Sequence, residues 1–137
     1  MSDLIAELRM EHLDLSVSFG NLKNVDIASE EGRRELQIIK ATLLSHLRKE
    51  NEQLYPKLRE AAFNNLKLQE TIDWFTRDTA RILAVLILFL DKYASGGPRM
   101  AFRRDYNRLN TILNALISQE EKIIYEEYQK EFLNRAA

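Results

Sequence analysis

The stretch LQIIKATLLSHLRKENEQLYPKL, Leu36 to Leu58, decides how this chain folds. Leu36, Ile39, Leu43, His46, Glu50 and Leu54 follow one another at steps of three and four, the spacing that sets side chains on one face of an α-helix. Two members of this otherwise apolar stripe, His46 and Glu50, are polar. Pro56 is expected to kink the helix rather than end it, since Leu58, Ala61, Ala62 and Phe63 carry the pattern to a turn near Asn64-Asn65.

The same spacing recurs on both sides. A first helix is predicted from about Asp3 to Lys23, with Ser2 as N-cap and apolar residues at 4, 8, 15, 19 and 22; His12 occupies a position on that stripe. Asn24 to Ser29 reads as a polar turn. A third helix over roughly 68 to 94 carries Ile72, Phe75, Thr79, Ile82, Leu86 and Phe89 on its seam, with Asp78 at the margin. Gly96-Gly97-Pro98 stops it and starts a fourth, on which Phe102, Tyr106, Leu109, Leu113, Leu116, Glu120 and Ile123 or Ile124 share a face. Short connections make consecutive helices neighbours, so the expected fold is all-α, an antiparallel up-down four-helix bundle in one domain over residues 1–137.

Composition removes several function classes. Lys and Arg number 20 against 21 Asp and Glu, a net charge of -1, which leaves no field favouring nucleic acid or anionic lipid. There is no cysteine, hence no disulfide framework, thiolate metal site or cysteine nucleophile. The most apolar run, Ile82 to Leu90, is less than half the roughly twenty residues a membrane span requires. The N-terminus lacks the basic start and apolar run of a signal peptide, so a cytoplasmic location is expected. Neither a nucleophile elbow nor a phosphate loop is present, and nothing in the sequence calls for an enzyme.

The chain has only two histidines, and both fall on seams assigned to the core. One inward histidine is ordinarily a hydrogen-bonded core residue. Two histidines accompanied by Glu50 and Glu120 are harder to explain in that way, because a buried carboxylate is costly without a cation or a proton. His46 and Glu50, four apart, point the same way and can share one cation. At about 1.5 Å rise per residue, His12 lies within roughly one helical turn of their height.

The segment Leu43 to Leu58 resembles the second-helix motif of the hemerythrin-like HHE cation-binding domains: His46, three residues, Glu50, then Leu54-Tyr55-Pro56. MEHLDL, with His12, is similar to that family's first-helix histidine motif. The family repeats the pattern, and an offset of 70 sets LISQEEKIIY on HLRKENEQLY, matching Glu120 to Glu50 and Tyr125 to Tyr55. Leu116 stands where the second histidine belongs, and Asp78 replaces a third-helix histidine. The resemblance implies a non-haem metal, iron or another divalent ion, held by His12, His46, Glu50, Glu120 and Asp78, for sensing of oxygen, nitric oxide or redox state or for metal handling. The half-empty pattern argues against a reversible oxygen carrier. Three outcomes stay open: a weak or mononuclear site, a carboxylate-rich di-metal site, or a metal-free bundle that serves as an interaction module.

Ferritin-like pairing fails because Arg9 and Leu43 stand three residues before the histidines, where glutamates are needed. A phosphotransfer bundle would want an exposed histidine. Arg99, Arg103, Arg104 and Arg108 read as a solvated face, and Tyr55, Tyr125 and Trp74 as packing residues, the tyrosine hydroxyls near water at the bundle's end. Leu83, Ile87 and Leu90 form a second apolar stripe on the third helix, where a second copy or a protein partner is expected; a small diatomic ligand is a further candidate partner.

Overall fold

Side-chain caps and chain-breaking residues set the helix boundaries in the computed structural model, which describes residues 3–94 and 96–136. Helix α1, Asp3–Asn21, runs into a tight turn at Leu22–Asn24. Helix α2, Glu30–Lys49, starts where the Ser29 hydroxyl accepts from the Gly32 N–H at 3.0 Å. Glycine is required at position 32, since a Cβ there would stand 2.2 Å from the Asp26 carbonyl oxygen. A π turn, Glu50–Leu54, then passes without a loop into α3, Tyr55–Ala61. Asn65 caps α4, Leu66–Tyr93, by accepting from the Leu68 N–H. Gly96 follows α4 at φ +86°, a left-handed conformation suited to glycine. After Pro98 come α5, Arg99–Gln119, a second π turn at Glu120–Tyr125, and α6, Glu126–Ala136.

The chain therefore forms four helical rods, two of them interrupted by π turns, and no strand occurs among the described residues. Helices α2 and α5 each pack against both α1 and α4. Ser2, expected to cap α1, lies outside the described residues. Among those residues no helix is long and apolar enough to cross a membrane.

The core is in two parts. Leu15, Phe19, Leu36, Leu43, Phe89, Tyr106 and Leu113 belong to one apolar cluster, and Leu8, Leu54, Leu58, Ile72, Phe75, Leu116 and Ile124 to the other. Between them in sequence stand His12, His46 and Glu50, while Glu120 follows Leu116 within the stretch of the second cluster; all four are buried at 2 to 4% exposure.

The α4 stripe differs from its expected position. Leu90 is inside the core, Leu83 packs half-buried against it, and Ile87 is half-buried. The exposed apolar residues of α4 include Trp74, Val85 and Leu88.

Candidate metal centre

His12 comes from the middle of α1, His46 from the last turn of α2, and the two glutamates from the first positions of the π turns. One ligand atom from each of the four lies within 4.8 Å of all the others. That span is a few tenths of an ångström wider than the roughly 4.4 Å between opposite donors on a single ion, whose bonds to nitrogen and oxygen are about 2.0–2.2 Å long, so small side-chain shifts would close the four on one ion.

Both imidazoles are oriented from behind. His46 Nδ1 is 2.7 Å from Glu11 Oε1, and Lys49 bonds the other oxygen of Glu11. His12 Nδ1 is 2.9 Å from Glu121 Oε2, and Arg9 holds Oε1 of that carboxylate at 3.1 Å. A carboxylate on Nδ1 turns Nε2 inward as a basic donor, the arrangement that commonly supports metal-bound histidines. Among the described residues the buried side-chain nitrogen and oxygen atoms lacking a hydrogen-bond partner are His46 Nε2 and Thr79 Oγ1. His46 Nε2 reaches only to 3.4 Å from Glu50 Oε2, long for a hydrogen bond. Together with the two histidines and two glutamates, Thr79 lines a cavity of about 20 Å³, room for one small species.

The two halves exchange hydrogen bonds. Tyr55 donates to Glu120 Oε2 at 2.7 Å, and Tyr125 donates to Glu50 Oε2 at 2.7 Å. In a regular α-helix a residue five places on is turned about 140° away. The π turn reduces that offset: the Tyr55 N–H bonds the Glu50 carbonyl, which brings glutamate and tyrosine of the same rod towards one side. The Tyr125 ring also stacks on His12, with centroids 5.2 Å apart and planes inclined at 12°.

Burial, reinforced by the charge of Glu120, lifts the Glu50 carboxyl from its ordinary 4.5 to about 6, against the opposing influence of His46. Burial also acts upward on Glu120, but hydrogen bonds from His12, Glu50 and Tyr55 outweigh it and hold that carboxyl below its ordinary value. Of the pair, Glu50 therefore protonates first. Burial acts downward on His46, yet Glu50 and Glu11 raise it overall. Burial, followed by the charges of Glu120 and Glu50, keeps both tyrosine hydroxyls protonated.

Four of the five residues singled out from the sequence thus meet at one point. Asp78 is half-buried on α4 and outside the group; its neighbour Thr79 is the α4 residue at the cavity. The two tyrosines are not at a wet end of the bundle, since Tyr55 and Tyr125 are buried with their hydroxyls on the carboxylates. Glu11 and Glu121 were also missed, although each adjoins a singled-out residue in the sequence. Leu116 is in the cavity wall, one α-helical turn before Glu120.

No protein-family model, curated protein or solved structure matches the chain. The donor set itself passes the test of fit for a cation: two inward imidazole nitrogens, two buried carboxylates, an unpartnered nitrogen and an ion-sized cavity.

Proposed function

We propose that this chain is a hemerythrin-like bundle that binds one non-haem metal ion, iron by preference, through His12, His46, Glu50 and Glu120, and serves as a cytoplasmic redox or diatomic-gas sensor or in metal handling. The observation that carries the reading is the convergence of four buried donors, one of them an orphaned imidazole nitrogen. Imidazole with carboxylate is a donor set used by ferrous iron and zinc. The up-down course of the rods is part of the proposal. It is supported by α1, where Phe19 takes the Tyr106 hydroxyl while the earlier residues His12 and Arg9 meet the later Glu120 and Glu121.

The ion, when bound, supplies a Lewis acid and, if redox-active, an electron store. The chain's own groups do the rest. Glu11 and Glu121 fix the imidazole tautomers, Tyr55 and Tyr125 hold the carboxylates, and the two apolar clusters exclude water on either side.

A metal-free interaction module is the second reading, favoured by the tyrosine–carboxylate bonds that already satisfy much of the layer. Anaerobic calorimetric titration with ferrous iron and with zinc separates the two. The metal reading expects one equivalent, with affinity reduced at least tenfold in His46→Ala. Absence of heat with either metal leaves the module.

A further inference from the structure

Tyr125 stands among the donors as a ligand stands among ligands. Its hydroxyl oxygen is 2.7 Å from Glu50 Oε2, 3.1 Å from His12 Nε2 and 3.3 Å from Glu120 Oε1. Adjacent donors on an octahedral ion with bonds of about 2.1 Å are separated by about 3 Å, the edge of the coordination polyhedron. His12 Nε2 and Glu120 Oε1 show that same separation, 3.0 Å. The hydroxyl has no route aside, because Tyr125 is fully buried, its ring lies against His12 and its backbone is set by the π turn. An ion that took the place of the hydroxyl proton among Glu50, His12 and Glu120, beside the cavity of about 20 Å³ that those three line and Tyr125 does not, would meet this oxygen.

We infer that Tyr125 is a fifth ligand, its phenolate oxygen completing a donor set of two imidazoles, two carboxylates and one phenolate that selects ferric iron. This rests on the metal-binding reading above and deepens it, because three anionic oxygens fit a hard trivalent cation better than they fit zinc. On binding, the phenolic O–H bond breaks, the oxygen lone pair forms the bond to the ion, and the proton leaves to bulk water. Tyr125 donates to Glu50, and Glu50 lines a cleft of about 110 Å³ with Asn51, Tyr55, Thr76 and Ala80 among others, so the proton leaves by way of that carboxylate. The cation reverses the local electrostatics: carboxylate charges that keep the hydroxyl protonated in its absence are neutralised in its presence.

Tyr55 provides the internal control. Its hydroxyl donates to Glu120 Oε2 and makes no hydrogen bond to His12 or Glu50, which makes it a positioning residue.

The test loads the full chain with Fe(III) supplied as its citrate complex, desalts it, and records visible absorption and iron content, with zinc binding measured in parallel. Wild type and Tyr55→Phe are expected to show the broad visible band of a phenolate bonded to ferric iron. Tyr125→Phe is expected to lose the band while still binding one zinc. A colourless wild type that binds ferric iron or zinc overturns Tyr125 ligation and leaves the metal site standing, as does a band that follows Tyr55 instead. A wild type that binds neither metal overturns both. Should Tyr125→Phe fold poorly, phenolate vibrations in the wild-type resonance Raman spectrum, present or absent, decide the same point.

Discussion

Glu50 carries the clearest pH signature of the buried layer. Its carboxyl is raised from 4.5 to about 6, so the folded chain holds a proton that the unfolded chain releases. The stability associated with that proton is fully present below pH 4.5 and is lost as the pH rises through about 6. The shift corresponds to a loss of about 2 kcal/mol. Urea unfolding of metal-free protein at pH 4.5 and pH 6.5 should show this loss in wild type, and Glu50→Gln should lose less by about that amount; equal slopes would refute the assignment. The raised His46 loses its contribution only above its ordinary value of 6.5, at the upper edge of this window, so Glu50 dominates the comparison. Glu11 offers a second handle, because it touches no ion and orients His46. Glu11→Gln should weaken zinc binding about 10–100-fold by calorimetry, with stoichiometry unchanged.

At this scale the sequence yielded the four converging residues, because a polar side chain interrupting an apolar stripe is visible without coordinates. It did not yield Glu11 and Glu121, whose positions look like ordinary surface charge; periodicity set Thr79 on the α4 seam and Asp78 at its margin, and the family resemblance favoured Asp78 over it.

Among the elements, the π turns matter most. They begin at matched glutamates, Glu50 and Glu120, and only the first is followed by a proline. Proline therefore does not account for both; the shared features are a buried glutamate and a buried tyrosine five residues later. Deleting the exposed Gln53 should return the turn to α-helical register and swing Tyr55 about 100° away from Glu120. A destabilisation of at least about 2 kcal/mol is expected in denaturant unfolding, while Gln53→Ala stays within about 0.5 kcal/mol. Similar behaviour of the two variants would mean that the wide turn is incidental. The four rods, the continuation of the second through Pro56 and the stop before Pro98 were legible from periodicity and chain breakers. The tyrosines were misplaced for the same reason: a period of 3.6 assigns a residue five places on to another face, and only a π turn brings it back.

Across the molecule, a polar layer separates two apolar clusters and is the part of the interior most dependent on what occupies it. An ion present at a hundred times its dissociation constant adds about 2.7 kcal/mol to stability. The outer face of α4 belongs to the same scale. Leu83, Ile87 and Leu90, where a second copy or partner was expected, are buried or half-buried; if the helix dimerises instead through the exposed Val85 and Leu88, Leu88→Glu should sediment as a folded monomer where wild type is a dimer, and a monomeric wild type at high concentration removes that contact. Whether the layer holds an ion is read from elemental analysis of protein reconstituted anaerobically with ferrous iron and freed of unbound metal by gel filtration. One iron per chain is expected in wild type and none in His46→Ala; metal-free wild type, or equal iron in both proteins, rules the site out.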